Sequence, residues 1–117
     1  ISIHGDPDFE YPHYAGFADE TGAGAGLGFH RNFPLPKGTD DVGYLAALDE
    51  ALNLIRSFAP EYLVLSFGAD TFDGDPLGTF RITRAGFTEI GKRISSLNRR
   101  RSASAQPAGR LRQRSAR

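Results

Sequence analysis

The sequence has no cysteine, methionine or tryptophan among its 117 residues. Without cysteine, disulfides, thiolate metal ligands and thiol nucleophiles are excluded, so any metal ligands must be His, Asp or Glu. No apolar run approaches the roughly 20 residues that span a bilayer, and the N-terminus lacks the basic and apolar regions of a signal peptide. We therefore expect a soluble, cytoplasmic protein with no membrane partner.

Acidic side chains are missing from the last part of the chain, although the formal net charge is zero. Residues 1–94 hold all 14 acidic side chains and half of the 14 basic ones, whereas residues 95–117 hold the other half, all arginine. This second segment is mainly Arg, Ser, Ala and Gln, and too few of its side chains are apolar to offset the entropy of ordering. The sequence predicts one domain over 1–94 and a disordered tail over 95–117.

The predicted strands show the pattern of a parallel sheet. Short strands are predicted at Ser2–His4 and Phe29–Phe33, separated by a long loop rich in glycine and aromatic residues. Residues 62–67 are a near-continuous apolar run, which is typical of a strand buried on both faces. The residues after it, Gly68-Ala69-Asp70, then lie at the carboxyl edge of the sheet.

Two helices are predicted between and after these strands. Thr39 is the predicted N-cap of the first helix, with acidic residues in the first turn. Its apolar face comprises Val42, Leu45, Leu48, Leu52 and Ile55. Thr83 is the predicted cap of the second helix, whose inward face comprises Phe87, Ile90 and Ile94. The alternation of strands and helices predicts an α/β fold, a mostly parallel sheet with flanking helices.

Asp70 is the strongest single candidate for chemistry, because ligands of open α/β sheets bind beyond the carboxyl ends of the strands. Its alternative role is to cap a turn by accepting from the backbone amides of Phe72 or Asp73. Asp73 and Asp75 extend the acidic group, but Asp-Gly-Asp-Pro is also ordinary turn sequence. Position alone leaves both roles open.

The three histidines and the glycine-rich segment carry weaker signals. His4, His13 and His30 are candidate bases or zinc ligands. His4 follows a strand and fits a hydrogen-bonded core residue, and His30 fits a surface or packing residue. The glycines between Gly22 and Gly28 could suggest a phosphate-binding loop. The Lys-Ser/Thr of such a loop is missing, so a phosphate-binding role is rejected.

Five sequence blocks, taken in order, resemble the central-to-late part of the histone deacetylase superfamily, in particular its bacterial acetylpolyamine amidohydrolase-like branch. They are Ser2-Ile3-His4-Gly5-Asp6-Pro7, Tyr11-Pro12, Gly22-Ala23-Gly24-Ala25-Gly26, Asn32-Phe33-Pro34-Leu35-Pro36-Lys37-Gly38-Thr39 and the run from Ser66 to Pro76. The resemblance covers residues 1–94. It implies a partial arginase-deacetylase fold and a zinc-dependent amide hydrolase that acts on acetylated lysine or acetylpolyamines.

The same resemblance implies roles for individual residues. Asp70 matches one of the two aspartates that, with a histidine, hold the family's zinc. Tyr11 matches an aromatic wall of the acyl-lysine tunnel, and Leu77 a position at the tunnel rim. Ser2, through its hydroxyl and backbone, and Ile3, through its backbone, match ligands of a structural potassium ion. Phe29 matches a backbone ligand of a second, peripheral potassium site.

Departures from the family pattern limit what this chain does alone. The family's Asp-x-His metal pair and its His-His pair precede the residue that matches Ile1, and its Gly-Gly-Tyr turn follows the helix that ends near Ile94. None of these is in the sequence. We therefore expect a piece of a deacetylase domain, cut at both ends and inactive in isolation, whose full-length form is a homodimer as in many relatives.

Two alternative functions remain. The chain could be a binding remnant that kept part of the fold and lost the chemistry, and the reading frame upstream of Ile1 distinguishes these cases. Alternatively, the arginine-rich tail could contact nucleic acid. Only Arg99–Arg101 form a run of arginines, and no aromatic residues alternate with them for base stacking, so nucleic acid is the less favoured partner.

Overall fold

The computed structural model describes residues 1–104, which contain a two-stranded parallel sheet. Strand β1 spans Ser2–Gly5 and strand β2 spans Asn32–Leu35. Their register places Ile3 opposite Phe33. The α/β class with a parallel sheet is confirmed, and β2 begins three residues later than predicted.

Helix α1 spans Asp41–Phe58, and its N-cap is Asp40 instead of Thr39. The Asp40 carboxylate accepts a hydrogen bond from the backbone N of Gly43 at 3.0 Å. The Thr39 side chain is unavailable for capping because its hydroxyl donates to the carbonyl of Pro36 at 2.6 Å. The helix ends where Ala59 adopts a left-handed conformation with φ 51°.

The larger of two buried clusters lies between the two helices and the segment that precedes α2, and its buried members are Leu48, Leu52, Phe80, Ile82 and Ile90. The second cluster joins Phe33 of β2 to Ala47 and Ala51 of α1. The predicted inward faces of both helices are confirmed except at Val42, which is 76% exposed. At about 100° per residue, Val42 lies roughly 150° from the centre of the face formed by the buried residues of α1, and this explains its exposure.

Helix α2 spans Arg84–Ser104 and begins as predicted at Thr83, whose hydroxyl accepts from the backbone N of Gly86 at 3.1 Å. The helix continues past Ile94, and Leu97 packs against the core. The backbone is therefore helical for part of the predicted tail. Residues 105–117 of that tail lie outside the described residues.

The predicted buried strand over residues 62–67 is wrong for this structure. The segment forms no strand, and Tyr62 and Val64 are 87% and 92% exposed. A strand with apolar side chains on both faces needs a hydrogen-bonded neighbour and a cover on each face. Within the described residues no strand pairs with this segment, and its packing is limited to contacts such as that of the Phe67 ring with Phe87, whose centroids are 5.6 Å apart.

Candidate functional site

An open hollow of about 1340 Å³ lies between the sheet, helix α1 and the exposed segment over residues 62–67. We call it the large hollow. Five of the six residues singled out by sequence line it: Ser2, Ile3, Tyr11, Phe29 and Asp70. The sixth, Leu77, is 84% exposed and does not line the hollow.

Among the described residues, none donates a hydrogen bond to the Asp70 carboxylate or forms an ion pair with it. The backbone amide of Phe72 donates to the carbonyl of Ala69 at 3.1 Å, and that of Asp73 donates to the carbonyl of Ile82 at 2.9 Å. Neither amide donates to Asp70, so the alternative role as a turn cap is not what this structure shows.

Two glycines leave room for Asp70. A Cβ added to Gly68 would lie 2.6 Å from Oδ1 of Asp70, and a Cβ added to Gly78 would overlap its backbone carbonyl. Any larger residue at Gly78 must push the Asp70 backbone aside. The placement of Asp70 therefore depends on a glycine eight residues away, Gly78, whose side chain supplies no chemical group.

Asp75 confirms the turn interpretation of its sequence. Its Oδ1 accepts from the backbone N of Leu77 at 2.9 Å and from that of Gly78 at 3.3 Å. Oδ1 of the Asp75 carboxylate therefore holds the turn. The turn also holds Leu77 outward.

The Ser2 hydroxyl is oriented by His4. Nε2 of His4 lies 2.8 Å from the Gly16 carbonyl, which can only accept, and Nδ1 lies 2.7 Å from Oγ of Ser2. In the neutral ring Nε2 therefore donates, Nδ1 accepts, and the Ser2 hydroxyl donates to it. This arrangement leaves the lone pairs of the Ser2 oxygen available, as a cation ligand requires.

Ile3 and Phe29 both line the hollow but differ in their exposure. Ile3 is half-buried within β1. Phe29 is 71% exposed, and its ring packs edge to face against Phe58 at the end of α1, with centroids 6.2 Å apart. Tyr11 lines the hollow and is 85% exposed.

The histidines do not gather around Asp70. His4 is bound to Ser2 and Gly16, His13 lies 3.0 Å from the Pro7 carbonyl, and His30 lies 2.9 Å from Oδ1 of Asn32. Across the side chains that the structure describes, no three His, Asp or Glu groups converge as a metal site. A catalytic zinc site needs three protein ligands, so the described residues alone do not fit zinc.

Sequence reasoning missed Glu10. Its side chain lines the large hollow beside Tyr11, and its Oε1 is buried without a hydrogen-bond partner among the described residues. The only sequence signal was an acidic residue between two aromatic ones, Phe9 and Tyr11. That signal does not distinguish a buried carboxylate from a solvated one.

The histone deacetylase domain family matches residues 1–106, so the chain belongs to the histone deacetylase family. The chain is 45% identical to an acetylpolyamine amidohydrolase of Burkholderia pseudomallei over 97 residues, which is 83% of this chain and 28% of that protein. It is 46% identical to acetylpolyamine amidohydrolase 1 of Pseudomonas aeruginosa, over 82% of this chain and 28% of that protein.

Solved structures agree with this assignment. The acetylpolyamine aminohydrolase of B. pseudomallei superimposes with a TM-score of 0.79 at 46% identity, covering 82% of this chain and 28% of that one. A histone deacetylase homologue from Aquifex aeolicus superimposes with a TM-score of 0.78 at 32% identity, covering 82% and 26%. The chain thus spans little more than a quarter of the length of these relatives.

The family is one of deacetylases, which are hydrolases, and the resemblance expected from the five sequence blocks is confirmed. Neither described helix is long and apolar enough to cross a membrane.

Proposed function

We propose that this chain is part of a zinc-dependent amide hydrolase that removes acyl groups from acetylated lysine or acetylpolyamines. The observation that carries the proposal is the free carboxylate of Asp70, which lines the same hollow as the exposed ring of Tyr11. In this proposal Asp70 is a zinc ligand and Tyr11 is a wall of the acyl-chain tunnel. Leu77 belongs to the tunnel rim.

The chain alone is inactive in this proposal, because one carboxylate does not hold zinc against water. The other ligands, the groups that move protons and the group that polarises the substrate carbonyl come from further parts of a longer, cytoplasmic, homodimeric protein. Ser2 and Ile3 bind a structural potassium ion, and Phe29 contributes a backbone ligand to a second one. The available lone pairs on the Ser2 oxygen support the first of these sites.

A chimera tests the role of Asp70. The matching segment of the B. pseudomallei relative is replaced by residues 1–97 of this chain, and zinc content and hydrolysis of acetylputrescine are measured. The chimera is expected to bind zinc and to turn over the substrate. Asp70→Asn keeps the size of the side chain but removes its charge, and is expected to weaken zinc binding by at least about tenfold.

Asp73→Asn is the matched control, because Asp73 is an exposed aspartate in the same loop that does not line the large hollow. Equal zinc content and equal rates in the two variants would refute the assignment of Asp70. A folded chimera that binds no zinc with Asp70 intact would also count against the proposal.

A further inference from the structure

A second open cavity, of about 410 Å³, adjoins the large hollow at Tyr11, which lines both. We call it the side cavity; its other lining residues include Pro12, Gly16, Glu20 and Asn32. A cavity of roughly 150 Å³ admits a benzene ring, so the side cavity has room for a phenol ring. Two positions are therefore open to the Tyr11 ring unless its loop is held in place.

Tyr11 does not hold its own ring. The residue is 85% exposed, and its side chain makes no hydrogen bond or ring contact with a described residue. The turn around it is held by main-chain bonds, since the amide of Glu10 donates to the Asp6 carbonyl at 2.9 Å and the amide of His13 donates to the Glu10 carbonyl at 3.0 Å. These bonds fix the path of the chain up to His13 and leave its return to β2 to other groups.

The return of the loop is fixed at the backbone of Gly16. Its carbonyl accepts from Nε2 of His4, in β1, at 2.8 Å. Its amide donates to Oε2 of Glu20 at 2.6 Å, and the amide of Phe17 donates to the same oxygen at 3.0 Å. Gly16 has φ 107°, and a Cβ there would lie 2.6 Å from Nε2 of His4, so a side chain would push the imidazole away. Both sides of this backbone position are therefore engaged.

Glu20 joins this point to the sheet. Asn32, the first residue of β2, is 3% exposed, and its amide donates to the Phe17 carbonyl at 3.0 Å and to Oε2 of Glu20 at 3.4 Å. Hydrogen bonds to a charged carboxylate are roughly twice as strong as those between neutral groups. One oxygen of Glu20 thus collects donors from both the loop and the sheet, and its charge strengthens each of these bonds.

We propose that Glu20 is a positioning residue for Tyr11. Its carboxylate holds the backbone of Gly16 and Phe17 against β2, and this keeps the Tyr11 ring in the large hollow and out of the side cavity. The inference rests on the proposed function, in which Tyr11 is a wall of the acyl-chain tunnel, and adds the group that sets the position of that wall. Glu20 does not line the large hollow, so it acts through Tyr11.

The ring position is tested first on the full 117-residue chain, independently of activity. The chain has no tryptophan, so Tyr11→Trp introduces a single fluorescent reporter at the ring. The fast part of its anisotropy decay reports side-chain motion relative to the protein. Glu20→Gln keeps the size of the side chain but removes its charge. We expect it to increase the amplitude of this fast motion, because the reporter gains access to the side cavity.

Asp19→Asn is the matched control, because Asp19 is an exposed acid next to Glu20 whose side chain makes no hydrogen bond or ion pair with a described residue. Phe58→Trp, in chains that keep Tyr11, places the reporter outside the loop, at a position that is 67% exposed at the end of α1. Glu20→Gln is expected to leave the motion there unchanged. Equal gains at the two reporter positions would show a general loosening and would overturn the role of Glu20, as would no gain at Tyr11.

A double-mutant cycle on the chimera tests the consequence for the substrate. Glu20→Gln and Tyr11→Ala are each expected to raise KM for acetylputrescine about fourfold with kcat little changed, the size expected for leaving one methylene group uncovered. In the Tyr11→Ala background, Glu20→Gln is expected to add nothing, because Glu20 acts through the ring. Additive effects of the two substitutions would show a separate role of Glu20 and would contradict the proposal.

The outcome is separable from that of the proposed function. A gain of motion at the Tyr11 position that is specific to Glu20→Gln, together with a chimera that does not hydrolyse acetylputrescine, supports the positioning role and refutes the deacetylase role. Hydrolysis by the chimera with no change of motion at the reporter has the opposite meaning.

Discussion

The carboxylate of Asp41 in the first turn of α1 accepts two hydrogen bonds from Thr83, the N-cap of α2. The backbone N of Thr83 lies 2.8 Å from Oδ1, and its hydroxyl lies 2.6 Å from Oδ2. Gly86 lies against the same carboxylate, where a Cβ would overlap it. The starts of the two helices are therefore joined by one side chain that also satisfies an amide at the start of α2.

Asp41→Ala is expected to lower the free energy of unfolding by about 1–2 kcal/mol, because it removes a bridging cap and leaves two donors of Thr83 unpaired. Urea unfolding at dilute protein concentration measures the loss. Glu50→Ala in the same helix is the control, since Glu50 is exposed and its side chain makes no hydrogen bond or ion pair with a described residue. Equal effects of the two variants would contradict the role of Asp41.

Gly78→Ala is expected to impair the Asp70 site more than it impairs the fold. The added Cβ must displace the Asp70 backbone carbonyl, so zinc content and turnover of the chimera should fall. Gly26→Ala is a matched control, because a Cβ at Gly26 meets no atom within 4 Å and its φ is not positive. A Gly78→Ala chimera with unchanged zinc content would show that the loop relaxes without moving Asp70.

The sequence correctly predicts the elements that pack against another described element. The spacing of Leu48, Leu52 and Ile90 identifies the buried helix faces, because each helix packs on the other. The same reasoning fails for residues 62–67, since an apolar run shows what a segment needs and not whether a neighbour is there. Burial of a strand is a property of its surroundings.

The residues of the candidate site also fall into two groups, those that motifs predict and one that only the structure reveals. Asp70 and Tyr11 are predicted site residues because they match motifs of the family that the sequence resembles, and both line one hollow in the structure. Glu10 belongs to no motif, and its buried oxygen emerges only when the loop folds over Gly5.

Alkaline pH should reveal the packing of Tyr44. Burial raises the pKa of the Tyr44 phenol above its ordinary value of 10.0, and its ring packs against Phe80 with centroids 6.1 Å apart. The folded state thus favours the neutral phenol. This contribution to stability is complete below the unfolded pKa and is lost as the pH rises through the raised folded pKa.

Unfolding measured at about pH 8 and about pH 11 tests this expectation. The native chain should lose more stability between the two values than Tyr44→Phe, which has no phenol to ionise. Tyr14→Phe is the control, because Tyr14 is 77% exposed and its loss should leave the decline as in the native chain. The same decline in all three proteins would contradict the role of Tyr44.

The exposed apolar segment over residues 62–67 is expected to cause self-association of the isolated chain. Leu63, Val64 and Leu65 are 48%, 92% and 56% exposed and contiguous. An extended apolar segment with unpaired backbone groups is a template for pairing with another chain. At roughly 25 cal/mol per Å² of apolar surface, covering such a segment gives several kcal/mol, which is comparable to a stability margin of about 5–15 kcal/mol.

Val64→Lys places a charge in the middle of this segment and is expected to shift the chain toward monomer. The shift is measured by light scattering and sedimentation over a range of concentrations. Val42→Lys is the matched control, because Val42 is 76% exposed on α1 and does not line the large hollow. Lysine at Val42 should leave the association unchanged, since only the unpaired segment offers both apolar side chains and free backbone groups. A native chain that stays monomeric with a cooperative thermal transition would show that the segment does not drive association, and so would an equal effect of lysine at both positions.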